Sequence, residues 1–202
     1  MALYVYILSM SCRPSSLPPT FTRKQAEEAG LSKHVLYRMR DRGELEVLGR
    51  GVFRRREAEL ADEDLLEIAT RNPRATLCLA SALVKHGLSD EIPAAHDIAL
   101  PRGTRAPTAR APVSWHWFAA STFELGRERL PLDDHTAIGL YSAQRSIVDA
   151  FRLRGREGYE VAYEALRRWL RRRGSQPREL IELAAVLPRS LTPLRTALEA
   201  LL

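Results

Sequence analysis

The chain has 202 residues, 45% hydrophobic and 28% charged, enough apolar material for one large or two small packed domains and too much for a disordered tail. Its 31 Lys and Arg outnumber 25 Asp and Glu, and the net charge of +6 favours an anionic partner. Two cysteines, Cys12 and Cys78, stand too far apart in sequence to suggest a disulfide framework or a zinc site, so a reduced, cytoplasmic protein is expected.

The opening MALYVYILSM is apolar, lacks a basic leader segment and is far too short to cross a bilayer. The Ser- and Pro-rich SCRPSSLPP follows, and Met10-Ser11 is not the small pair that precedes a lipoprotein cysteine. A packed helix and an over-long start with Met10 as the true initiator are the two readings of this stretch. Residues 1–19 are taken as an N-terminal extension, and no membrane association is expected.

From Phe21 to Arg56 the signals are dense. Thr22 followed by Gln25 is a capping-box pattern, Ala26 and Ala29 give a small-residue face, and Gly30 ends a short helix. Ser32 is a second N-cap, and Val35, Leu36 and Met39 recur at helical spacing, leaving Lys33, His34, Tyr37, Arg38 and Arg42 on other faces. Gly43 stops this second helix. Leu45 to Leu48 and Val52 to Arg55 read as two strands around Gly49-Arg50-Gly51, a turn with a basic tip. Helix, Gly-containing turn, helix and a two-stranded wing is the pattern of a winged helix-turn-helix over residues 20–57.

Two helices and a hairpin also occur as plain packing units, and the placement of charge separates the readings. Residues 1–60 carry 11 Lys and Arg against 7 Asp and Glu. The second helix is basic on its solvent faces, Arg50 sits at the wing tip, and the last strand runs into Arg54-Arg55-Arg56. Duplex DNA requires cations on those elements, because phosphate neutralisation supplies most sequence-independent affinity.

Residues 58–74 read as a connecting helix with acids at its start, stopped by Asn72-Pro73. A C-terminal region, residues 75–202, follows without a flexible linker. Ala75 to Leu88 begins as a strand or apolar entry and continues as a buried helix; His96 to Leu100 is a strand. PRGTRAPTARAP is a loop whose Arg102, Arg105 and Arg110 are either solvated or in touch with nucleic acid. Val113 to Phe118 is an aromatic strand in which Trp115, His116 and Trp117 serve as core and cover, or as a base-stacking platform. Ile138 to Tyr141 is a strand leading to Ser142, the cap of AQRSIVDAFRLR. Three helices close the chain: Tyr159 to Arg173, Pro177 to Val186, and Thr192 to Leu202. Arg167, Arg168 and Arg171 to Arg173 crowd the end of the first, as a solvated face or a surface for an acidic partner. The expected fold class is α+β: an N-terminal winged helix-turn-helix, then a mixed α/β C-terminal domain ending in a helical bundle.

No catalytic or metal-binding residues and no cofactor are expected. Gly-rich phosphate loops, HExxH and GxSxG are absent from the sequence, and the five histidines do not pair at ligand spacing. Asp97, Glu124, Asp133, Asp134 and Asp149 could be assembled into a nuclease-like cluster, but Lys85 is the one lysine after Lys33. Asp149 is explained by pairing with Arg145 or Arg152 on its own helix.

FTRKQAEEAGLSKHVLYRMRDRGELEVLGRGVF, LASALVKHGL, DIALPRG and YSAQRSIVDAFRLRG, in that order, make the chain resemble the AbiEi family over about residues 20 to 190. These are the antitoxin halves of bicistronic abortive-infection toxin–antitoxin systems. The apolar Met1 to Met10 stretch departs from the family's usual start. The resemblance implies a winged helix-turn-helix that binds inverted repeats in double-stranded DNA upstream of its own operon. It also implies a C-terminal antitoxin domain that neutralises a nucleotidyltransferase-type toxin encoded next door. The DNA-reading role falls on Ser32, Lys33, His34, Tyr37 and Arg38, with Arg50 on the wing and Arg54 on the strand after it. Two other readings remain: a stand-alone winged-helix regulator with a ligand- or partner-sensing C-terminal domain, and a nuclease with a DNA-targeting arm.

Overall fold

The computed structural model describes residues 17–202, so the readings of Met1 to Met10 and Cys12 lie outside the described residues. The architecture is mixed α and β, and the chain forms two compact units. The N-terminal unit holds the described residues up to Pro73 together with 107–111 and 131–137; the C-terminal unit holds 74–106, 112–130 and 138–202.

In the N-terminal unit, strand β1 (Thr20–Thr22) leads into helices α1 (Arg23–Glu28) and α2 (Lys33–Asp41), the hairpin β2 (Leu45–Gly49) and β3 (Val52–Arg55), and helix α3 (Glu63–Arg71). Local chemistry sets the boundaries. Thr22 Oγ1 accepts from Gln25 N at 3.2 Å while Gln25 Oε1 accepts from Thr22 N at 2.7 Å, the reciprocal capping box. Asp62 Oδ1 accepts from Leu65 N at 3.0 Å, which starts α3 at Glu63 rather than Ala58 and leaves Glu63 and Asp64 in the favourable first turn.

The sheet is antiparallel in the order β1-β3-β2, with Phe21 and Val47 both opposite Phe53. The Phe21 and Phe53 rings lie 6.1 Å apart, and Ala26, Leu31, Leu36 and Leu45 complete a core under them. Leu66 of α3 is buried with Leu48 and Val52, so α3 packs under the hairpin as part of this unit. Strand β1 goes beyond the sequence reading; three residues are too short to show alternation, and its pairing with β3 defines it.

The C-terminal unit is built on a five-stranded sheet in the order β6-β5-β4-β8-β7. Its strands are β4 (Thr76–Leu77), β5 (His96–Pro101), β6 (Val113–Phe118), β7 (Arg127–Pro131) and β8 (Ala137–Tyr141). β5 pairs with β6 and β4 with β8 in parallel, while β4 and β5 run antiparallel. β7, also unforeseen, is an edge strand of sequence RERLP with no buried residue, and it therefore carries no apolar alternation to detect.

The helices are α4 (Leu79–Lys85), α5 (Ala143–Arg152), α6 (Arg154–Glu157), α7 (Tyr159–Leu170), α8 (Pro177–Val186) and α9 (Leu191–Leu201). The expected first tail helix stops at Leu170, and Arg171 to Arg173 are exposed beyond it. Helix α5 is central: Arg145 to Phe151 are all buried, against Leu83, Leu166, Trp169, Leu180 and Leu194 among others. Arg145 Nε donates to Asp149 Oδ2 at 2.7 Å, and its Nη1 donates to the carbonyls of Thr122 and Leu125 at 2.8 and 2.6 Å. Arg152 also donates to Asp149, at 2.9 Å, so the carboxylate pairs with both arginines. Burial pushes the neighbouring Tyr141 hydroxyl above its ordinary pKa, and it donates to the Phe123 carbonyl at 2.9 Å.

Candidate nucleic-acid interface

Helix α2 is positioned by its cap and its buried face. Ser32 Oγ accepts from Val35 N at 3.4 Å, and Leu36 is fully buried with Val35 and Met39 beside it. That geometry turns Lys33, His34, Tyr37 and Arg38 to solvent, with Ser32 exposed at the helix start. Lys33 and Tyr37 are four residues apart, as are His34 and Arg38, so two adjacent rows of polar groups run along the exposed face. Tyr37 is flanked by cations: Lys33 Nζ is 5.7 Å and Arg40 Cζ 4.6 Å from its ring centre. Arg40 is paired with Asp41 at 2.7 Å.

The wing tip is held from below. Arg50 is exposed between two glycines, and its carbonyl accepts from Arg71 Nη2 at 3.0 Å. Arg71 in turn binds Glu67 Oε1 at 2.7 Å, and Glu67 is only 1% exposed. The same carboxylate accepts from the backbone N–H of Arg110 at 2.9 Å and of Ala111 at 3.0 Å. Gly49 is obligatory for this packing, since a Cβ there would stand 1.7 Å from Glu67 Oε1. Gly51 takes φ +74°, the conformation the tight turn needs. At the other end of the turn, Arg23 N donates to the Gly51 carbonyl at 2.8 Å, joining α1 to the wing.

Arg54 corrects the sequence reading. It is 5% exposed, and its Nη1 donates to Thr20 Oγ1 at 2.6 Å and Asp133 Oδ2 at 3.0 Å while Nη2 donates to the Glu59 carbonyl. A guanidinium engaged on three sides inside the unit is a structural cation and leaves the set of DNA contacts. Its partner Asp133 loses hydration by burial, yet the hydrogen bonds from Arg54 and from the N–H of His135 and Thr136 outweigh that and hold its pKa below the ordinary carboxylate value.

Arg110 lies on the same unit as the wing, exposed, with Nη1 3.5 Å from the Val47 carbonyl. The sequence leaves Arg110 either solvated or in touch with nucleic acid, and no local signal places it on this unit; the attachment runs through Glu67, 43 residues away. Arg102 and Arg105 belong to the C-terminal unit.

Four of the five carboxylates that could form a nuclease-like cluster have side-chain partners of their own. Asp97 accepts from His116 Nε2 at 2.9 Å, Glu124 pairs with Arg74 at 3.2 Å, Asp133 with Arg54, and Asp149 with Arg145 and Arg152. Among the described residues no group of three or more His, Cys, Asp or Glu is placed to hold a metal ion, and no helix is long and apolar enough to cross a membrane. Cys78 is fully buried.

Residues 15–56 match the family model described as transcriptional regulator, AbiEi antitoxin. No curated protein matches the chain. The segment that builds α1, α2 and the β2–β3 hairpin is thus similar to the AbiEi antitoxin family of transcriptional regulators.

Proposed function

We propose that the protein is a non-enzymatic, DNA-binding antitoxin that represses its own operon from the cytoplasm, with residues 20–57 acting as a winged helix-turn-helix. The observation that carries this reading is the solvent face of α2, where Lys33, His34, Tyr37 and Arg38 stand in two parallel rows on the same unit as the glycine-flanked Arg50 tip. In the major groove, the Arg38 guanidinium fork suits the N7 and O6 acceptors of guanine, while Lys33 and Arg50 neutralise phosphates. Ser32 and the first N–H groups of α2 suit a phosphate contact at the helix start. The operator is an inverted repeat upstream of the gene, and the C-terminal unit neutralises a nucleotidyltransferase-type toxin; both rest on the AbiEi match at the N-terminus and the resemblance of the later segments.

The test is a gel shift on the DNA upstream of the gene, against random duplex at two salt concentrations. Binding that persists on the upstream fragment at the higher salt is expected. Equal, salt-labile binding to both duplexes would reduce α2 to a non-specific cation patch and move the function to the C-terminal unit.

A further inference from the structure

The C-terminal unit contains a pocket of about 480 Å³ that DNA binding by the N-terminal unit does not use. It lies at the carboxyl ends of the parallel pair β5–β6, the end of a sheet at which open α/β folds hold their ligands. Arg102 follows β5, Trp115, Trp117 and Phe118 come from β6, Arg152 ends α5, and Arg189 comes from the turn before α9. Three guanidinium groups thus converge with two indoles, and no acidic residue is among the lining.

Each part is held in place by the surrounding fold. Arg102 N donates to the Phe118 carbonyl at 2.7 Å, which fixes the chain where it leaves β5. Arg152 lies 4.9 Å over the Phe118 ring and is anchored to Asp149 at 2.9 Å. Trp117 is 45% exposed, yet its Nε1 donates to the Thr104 carbonyl at 2.8 Å, so the indole is braced while remaining partly open to solvent. Arg189 takes φ +64°, a left-handed conformation that a side-chain-bearing residue adopts at a cost. Next to it, buried Ser190 Oγ donates to the carbonyls of Leu187 and Ala184 at 2.7 and 3.0 Å and locks the turn. Buried Ser190 therefore holds an exposed arginine at the rim of a basic cavity.

We infer that this pocket binds a nucleoside phosphate, the phosphate on Arg102 and Arg189 and the base against the Trp117 indole. Planar guanidinium forks match phosphate oxygens, and an indole face accepts any base by stacking. The volume is of small-molecule size and limits the occupant to roughly one nucleotide. A site for a bare anion would gain nothing from the open indole.

The test is calorimetric titration of the full chain with ATP, GTP, CTP and UTP, and in parallel with inorganic phosphate and with the free nucleosides. Saturable binding of at least one nucleotide below about 1 mM is expected, tighter than either phosphate or the nucleoside alone. Arg102→Gln and Arg189→Gln are each expected to weaken it about tenfold or more. Both residues are exposed, and an unchanged melting curve shows that the fold is kept. Absence of saturation with every nucleotide, phosphate binding as tightly as the best nucleotide, or unaltered affinity in both variants would each overturn the assignment. The upstream-DNA gel shift run on the same variants is expected to be unchanged, which separates this site from the proposed DNA reading.

Discussion

Replacing Glu67 by Gln tests how the wing is held. The carboxylate is 1% exposed and meets donors on every side. Oε1 accepts from Arg71 Nε at 2.9 Å and Nη2 at 2.7 Å, and Oε2 accepts from the N–H of Arg110 at 2.9 Å and Ala111 at 3.0 Å. An amide has the same shape but one acceptor atom, so its NH2 must face either the guanidinium or the two backbone donors. The loss of charge-assisted bonds on one side, with donors left buried, is expected to cost about 2–4 kcal/mol. Glu67→Ala, which strands the Arg71 cation as well, is expected to cost about 3–5 kcal/mol. Gly49→Ala presses on the same carboxylate, because its Cβ would sit 1.7 Å from Oε1. The assay is urea unfolding of the full chain, with amide exchange at Val52 and Phe53 reporting the hairpin itself. A Glu67→Gln protein within about 0.5 kcal/mol of the parent, with unchanged exchange in the hairpin, would refute the claim that this carboxylate clamps the wing.

Other perturbations separate reading from folding. Arg38→Ala is expected to lose about 1–3 kcal/mol on the upstream fragment and to relax base preference, whereas Arg50→Ala weakens all duplexes alike and lowers the salt slope by roughly one; competition gel shifts at several salt concentrations distinguish them. Arg54→Ala is expected to destabilise the N-terminal unit by about 3–5 kcal/mol by stranding Asp133, with unchanged DNA affinity per folded molecule under conditions where it folds; a selective loss of affinity without unfolding would restore Arg54 to the interface. Asp133 has a folded pKa held below its unfolded value of about 3.9, so its ionised form stabilises the fold above that pH and the contribution is lost as pH falls through the folded pKa. Urea midpoints measured from about pH 5 downward are therefore expected to fall below about pH 4 in the parent, and to fall less steeply in Asp133→Asn. Asp149→Asn leaves the buried Arg145 and the partly buried Arg152 guanidinium groups facing one neutral partner, and a melting point lowered by a loss of about 3–5 kcal/mol is expected by calorimetry.

What the sequence determined by itself was local. The capping box at Thr22 and Gln25, the Ser32 cap, the apolar row through Leu36 and the Gly49-Arg50-Gly51 turn all act within a few residues. Those signals set the element order from α1 to β3 and the solvent face of α2, and the Asp149 pairings were legible for the same reason, lying three and four residues along one helix. Tertiary structure decided everything that depended on distant partners. Arg54 reads as one more cation in an arginine run until Asp133, 79 residues on, neutralises it. Glu67 carries no local mark of burial, and two backbone N–H groups more than 40 residues away enclose it. The arginines and indoles of the C-terminal pocket come from β5, β6, α5 and the turn before α9, and only the folded sheet brings them together. Periodicity and capping report the forces a residue exerts on its own turn of chain, whereas burial of charge depends on which remote donors arrive, and no local pattern encodes that.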